Sequence, residues 1–265
     1  MTDPAGPRSG DLARLFDAHV HTELAVCAED ITAEAAIAKA AGLGLAFGFA
    51  EHADQLYFPK DEYYANERSI ADPATLRRAR DRGWSRFPAY RALAAPLRAR
   101  GIPMGLEVEA AESGGPFAVL DEDRAGWDYL IGAVHDFRTP DLARDFLTQV
   151  RRLVDGGIQV LAHPFRIFLR RRREVPTALY GEVVGLLASR GVAAEINFHT
   201  NQPDPVFFRL CLERGVKLSV GSDSHAIASV GDLGPHIALL RDLGVWDRLD
   251  QILWRPSSPG GVLPR

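Results

Sequence analysis

The chain has 265 residues, 46% of them apolar and 25% charged, with a formal net charge of −4. This balance describes a globular protein with a sizeable core and excludes a bulk electrostatic case for long nucleic acid or a membrane surface. Two distant cysteines, Cys27 and Cys211, argue against a disulfide scaffold and fit a reducing cytoplasm. The first residues lack the apolar stretch of a secretory signal, and the charge-free run 40–50 is too short and Gly-rich to span a bilayer, so a cytoplasmic protein is expected.

In chain order, residues 1–11 read as a flexible tail and 12–265 as a single domain. Seven short β-runs follow, near 15–21, 44–50, 103–109, 128–134, 158–163, 192–198 and 216–223. Helical patterns lie between them. Residues 31–42 carry a Thr32 cap signal, apolar spacing and a glycine stop. Residues 141–157, 177–191 and 204–215 repeat that plan. Alternating strand and helix implies βαβ units, a parallel sheet and a TIM-barrel-like α/β fold. The connection over about 53–100 is unusually long, holds two predicted helices (73–82 and 86–100), and begins with an aromatic segment read as a possible lid.

The β-runs end in metal-grade ligands. FDAHVH places His19 and His21 two residues apart, so both point the same way from a strand. AEH supplies His52, GLEVE supplies Glu107 and Glu109, GAVH supplies His135, LAHP supplies His163, EINFH supplies Glu195 and His199, and GSDSH supplies Asp223 and His225. Seven of the eight histidines fall in these stretches, and the eighth, His236, reads as a surface residue of the last helix. A barrel gathers the C-terminal ends of its strands into one active site. Imidazoles mixed with carboxylates suit Zn, Mn or Fe rather than Ca or Mg. Glu107 has two oxygens and can bridge two ions. Asp17 is expected to orient a histidine, and Glu51 to point away from His52 on a regular strand.

Together, DAHVHT, the EH after the second strand, GLEVE, GAVH, AHP, EIN and GSDSH resemble the polymerase and histidinol phosphatase (PHP) superfamily over residues 15–235. Within it, the chain resembles the histidinol-phosphatase-like members. The resemblance implies a distorted seven-stranded β/α barrel holding two or three divalent transition-metal ions. It implies His19, His21, His52, Glu107, His135, His163, Asp223 and His225 as ligands. Where family members often carry a His or Asp soon after the HxH pair, this chain has Cys27, a possible further ligand. Where histidinol phosphatases tend to follow EIN with a Thr-Ser-Gly-like turn, this chain reads FHTNQPDP.

The expected activity is metal-dependent hydrolysis of a small phosphomonoester such as histidinol phosphate. Glu107, Asp223 and His225 stand at the expected reacting centre, with Arg166, Arg138, His199 and Asn197 as expected substrate contacts. Rival readings are an amidohydrolase-type metal hydrolase, a short-nucleotide phosphodiesterase and a non-catalytic metal-binding domain. The first usually bridges its metals with a carboxylated lysine, and Lys39, Lys60 and Lys217 are all badly placed for that. Ligand loss would mark the last, and here the ligand positions are filled.

Overall fold

The computed structural model describes residues 9–66, 72–111, 115–137 and 139–257. Seven parallel strands close into a barrel in sequence order. They are β1 (Phe16–Val20), β2 (Ala46–His52), β3 (Met104–Glu109), β4 (Tyr129–Ala133), β5 (Val160–Leu161), β6 (Ala193–Ile196) and β7 (Leu218–Val220). Each falls within or beside a β-run legible in the sequence. The β/α barrel expectation is therefore met.

The helices form where local chemistry starts and stops them. The helix Ala33–Leu43 begins at Thr32, whose side chain accepts from the Ala35 N–H, and ends at Gly44 in the left-handed region. Leu142–Gly156 begins at Asp141 and stops at Gly157 in the same way. Its buried face is Phe146, Val150, Leu153 and Val154, spaced at helical period. Outward-facing strand residues such as Phe49, Leu106, Val108, Leu161 and Val220 meet these helices in one large apolar cluster. A second cluster fills the barrel itself with Phe16, Ala18, Ala50, Tyr129, Ile131, Ala133, Val160, Ala162 and Ala193. Small alanines suit the narrow interior of a seven-stranded barrel. Trp254 packs against this cluster, its ring 5.6 Å from that of Tyr129.

Two features position the site. His52 pairs in register with Glu107, so adjacent strands deliver an imidazole and a carboxylate side by side. Beyond the end of β7, Ser224 still pairs with Val20 and its carbonyl accepts from the His21 N–H. The barrel seam thus stays closed up to the residues that carry chemistry.

The long connection packs more than it overhangs. Tyr57 and Phe58 are buried against the barrel, and Tyr63 is half-buried, while Tyr64 is 56% exposed. Residues 67–71 of the long connection lie outside the described residues, as do residues 1–8 of the expected tail. The expected helices at 73–82 and 86–100 are present as Pro73–Asp81 and Phe87–Ala99. Among the described residues no helix is long and apolar enough to cross a membrane.

Candidate metal centre

Glu107, at the inner side of β3, is the hub. Its Oε2 faces His52 Nδ1 at 2.7 Å, His19 Nε2 at 3.4 Å and His21 Nε2 at 3.8 Å. Its Oε1 faces His163 Nε2 at 3.1 Å and His135 Nε2 at 3.3 Å. Asp223 supplies the second inner carboxylate, with Oδ1 3.2 Å from His21 Nε2 and 3.7 Å from His19 Nε2. His225 closes the ring, its Nε2 3.4 Å from His52 Nε2. All eight residues expected as ligands therefore meet at the C-terminal mouth.

Three overlapping donor groups can each hold a cation: His21, His52 and His225; His19, His21 and Asp223; His52, Glu107 and His135. Among the described residues, buried Glu107 Oε2, His19 Nε2 and His135 Nε2 have no hydrogen-bond partner. His52 Nδ1 approaches Oε2 without the alignment that a hydrogen bond needs. Unsatisfied buried polar atoms are costly, and three converging on one hub call for a cation. The 3.4 Å separation of two imidazole nitrogens matches the edge of a tetrahedron with metal–nitrogen bonds of about 2.05 Å. Donor chemistry and geometry fit divalent transition-metal ions.

Most rings are aimed by a partner on the far nitrogen. His19 Nδ1 donates to Glu195 Oε1 at 2.8 Å, His21 Nδ1 to Glu51 Oε1 at 3.2 Å and His135 Nδ1 to Glu109 Oε1 at 2.5 Å. His225 Nδ1 donates to the Asp223 carbonyl at 2.8 Å. Each partner leaves Nε2 facing inward, the usual way a protein fixes the tautomer of a ligating imidazole. The sequence offers Glu195 only as a strand-end ligand and points Glu51 away from His52, yet both aim imidazoles. Glu51 and Glu109 each lie on the strand next to the histidine they aim, whereas Glu195 reaches His19 from two strands away.

The field of these groups divides the rings. Burial alone would lower every imidazole, but Glu195, Asp223 and Glu107 hold His19 well above its ordinary range. Against the same burial, Asp223 and Glu51 raise His21 to about 9, and Glu107 and Glu109 raise His135 to about 9. Burial prevails at His52, at His163, where Arg166 adds repulsion, and at His225, which falls to about 3. Despite full burial, the surrounding imidazoles hold the Glu107 carboxyl well below the usual carboxylate range. Burial likewise opposes ionisation of Glu51, yet His21 holds its carboxyl down at about 2.

His163 reaches the hub against strand alternation. Its neighbour Ala162 lies in the barrel interior, so a regular strand would aim His163 outward. A φ of +28° at His163 turns the ring back to Glu107. Phe165 (φ 68°) and Asp223 (φ 54°) are also left-handed, which clusters backbone strain at the centre.

Several expected roles change. Arg166 is 2% exposed; its Nη1 donates to Asp223 Oδ2 at 2.6 Å and its Nη2 to His163 Nε2 at 2.7 Å. An ion held by His163 Nε2 would take the place of this Arg166 contact, leaving Arg166 on Asp223. Asn197 is fully buried, donating to Glu195 and Asp223 and accepting from the His199 N–H. His199 is half-buried, with its ring stacked 5.1 Å from that of His225. Arg138 lies outside the described residues. The Cys27 thiol contacts the Gln55 amide at 3.4–3.5 Å and belongs to none of the three donor groups; burial pushes it up to about 12. Asp17 accepts from the backbone N–H groups of His19 and Ser222 rather than from an imidazole, because its carboxyl sits below the ring level. His236 is not a surface residue: it is 2% exposed and donates from Nε2 to the Gly221 carbonyl at 3.0 Å, because its helix lays that face under β7. Lys39 is occupied by the carbonyls of Ile227 and Ala228.

Comparison with known proteins agrees with this geometry. The profile of the PHP domain family matches residues 17–199. Histidinol phosphate phosphatase from Lactococcus lactis subsp. lactis, solved with zinc, L-histidinol and phosphate, is similar in structure. It is 20% identical, with a TM-score of 0.58, over 87% of this chain and 94% of that one. A structure assigned as a histidinol phosphatase from Listeria monocytogenes is 14% identical with the same TM-score, over 82% of this chain and 97% of that one. At such identities the likeness speaks for the fold. No curated protein matches the sequence. Because the family profile covers most of the barrel and the matched segment carries His19, His21, His52, Glu107, His135 and His163, the chain belongs to the PHP domain family.

Proposed function

We propose that this protein is a metal-dependent phosphomonoester hydrolase acting on a small organic phosphate of the histidinol phosphate kind, with His19, His21, His52, Glu107, His135, His163, Asp223 and His225 holding two or three Zn, Mn or Fe ions. The observation that carries the reading is Glu107, a single buried carboxylate with imidazole nitrogens against both of its oxygens. Divalent ions held there supply Lewis acidity, activating water and neutralising the charge of a phosphoryl group.

The chain's own residues do the positioning. Glu51, Glu109 and Glu195 fix the rings, while Arg166 and Asn197 hold Asp223. Their work is orientation and electrostatics, which is most of what phosphoryl transfer asks of a protein. His199, half-buried beside His225, is the side chain best placed to meet the substrate at the mouth. The zinc, histidinol and phosphate in the Lactococcus relative support the substrate class.

Metal analysis of purified protein, followed by a phosphomonoester panel that includes histidinol phosphate, phosphotyrosine and nucleotides, tests the reading. At least two ions per chain and hydrolysis of a small phosphomonoester are expected. Fewer than one ion per chain after metal-replete purification, or turnover confined to phosphodiesters or amides, would overturn it.

A further inference from the structure

Glu195 sits on β6, yet it touches ligands of two other strands. Its Oε1 accepts from His19 Nδ1 of β1 at 2.8 Å. Its Oε2 accepts from the backbone N–H of His163, just past β5, at 2.7 Å, and from Asn197 Nδ2 at 3.0 Å. Both Glu195 and His19 side chains are fully buried. The His163 backbone that it grips is the one held at positive φ, the turn that returns that ring to Glu107. Glu195 thus acts at once on the ring facing Glu107 Oε2 and on the ring facing Oε1.

The space for this carboxylate exists only because β7 continues into a glycine. A Cβ added at Gly221 would stand 1.9 Å from Glu195 Oε1, 2.7 Å from its Cδ and 2.9 Å from His19 Cβ. Gly221 does not have a positive φ, so conformational freedom is not why a glycine is needed here. The requirement is room for Glu195.

We propose that Glu195 is a positioning residue that sets the tautomer of His19 and the backbone of His163 together, and that Gly221 is the gap that admits it. It deepens the metal-centre reading and rests on it. Replacing the carboxylate by an amide shows why. The Oε2 side faces two donors, so the amide oxygen of Glu195→Gln settles there and its NH2 faces His19 Nδ1. Nδ1 must then accept, the proton moves to Nε2, and the nitrogen aimed at Glu107 loses its free lone pair. The fold is expected to persist, because shape and volume are nearly unchanged.

The test uses the full chain stripped of metal and titrated with zinc against a chromophoric chelator, with cobalt(II) absorption as a second readout. Glu195→Gln is expected to weaken the tightest zinc site by about 10- to 100-fold and to change the visible cobalt spectrum, with cooperative thermal unfolding retained. Gly221→Ala touches no ligand nitrogen and is expected to reproduce both changes. In a Glu195→Ala background, the added loss from Gly221→Ala should shrink, since its closest clash is gone and only the His19 Cβ contact remains. Wild-type affinity and cobalt spectrum in Glu195→Gln would overturn the proposal, even if its melting temperature fell. Full additivity of Gly221→Ala and Glu195→Ala would overturn the role of Gly221. A wild-type chain that binds no zinc would overturn the metal-centre reading as well. Phosphatase activity enters none of these readouts, so a wrong substrate leaves the result standing.

Discussion

Two walls of the mouth use the same pair, an imidazole donating from Nδ1 to a glutamate, in different surroundings. On the wall made by β1, β6 and β7, His19 and Glu195 are both 0% exposed. On the wall made by β3 and β4, the His135 and Glu109 side chains are 15% and 26% exposed. Coulombic attraction is worth several times more where water is excluded, and water at the open wall can replace either partner. The deep wall is therefore built to hold geometry fixed. The open wall can yield, and it lies beside the half-buried Tyr63, whose hydroxyl donates to Asp54 at 3.0 Å.

The residue shared by both walls should matter most. Glu107→Gln removes the charge facing imidazoles on both sides, and an amide presents one acceptor where two are needed. Turnover of a phosphomonoester should fall by roughly 10³-fold or more, with metal content lost and cooperative unfolding retained. Near-wild-type turnover and metal content would refute its bridging role.

A comparison of walls comes next. Glu51 is a second deep carboxylate, fully buried and accepting from His21 Nδ1, the His52 N–H and the Thr22 N–H. Glu51→Gln should weaken zinc binding by about 10- to 100-fold. Glu109→Gln should cost under about 10-fold, because solvent compensates at a partly exposed site. Equal losses in parallel chelator titrations would erase the distinction between the walls.

The rim gives a smaller effect. Tyr64→Ala should raise KM a few-fold, by about 1 kcal/mol of binding at most, without moving the melting temperature, since Tyr64 is exposed. Tyr63→Phe removes a hydroxyl bonded to Asp54 and should lower stability by about 1 kcal/mol. If Tyr64→Ala changed only the melting temperature, the segment would serve packing rather than substrate choice.

The smallest effect at neutral pH lies beneath the deep wall. Burial pushes His236 down to about 4 from its ordinary 6.5. A depressed histidine stabilises the fold above the unfolded value, and that contribution is lost as pH falls from about 6.5 through 4. Complete protonation would remove about 3 kcal/mol. His236→Gln keeps a donor for the Gly221 carbonyl but cannot titrate. Its melting temperature should match wild type at pH 7.5 and decline less steeply toward pH 4.5. Parallel declines would show that His236 does not titrate in this window.

The sequence by itself determined the seven strands, their alternation with helices and the placement of His, Glu and Asp at strand ends, because periodicity and spacing are local properties. His52 beside Glu107 was also within reach, since strand ends that carry ligands must converge in a closed barrel. What only the tertiary structure decided was which side chain aims which ring. Glu195 meets His19 across 176 residues and Glu51 meets His21 across 30, through strand register that no local pattern encodes. The inward turn of His163 depends on a positive φ that a β-run does not announce. Arg166 read as a substrate contact because it follows a ligand closely, yet its guanidinium is drawn to the Asp223 carboxylate. His236 read as surface because helix periodicity shows a face but not what that face packs against. In each case the missing information was the identity of the neighbour across space, which closure of the barrel supplies.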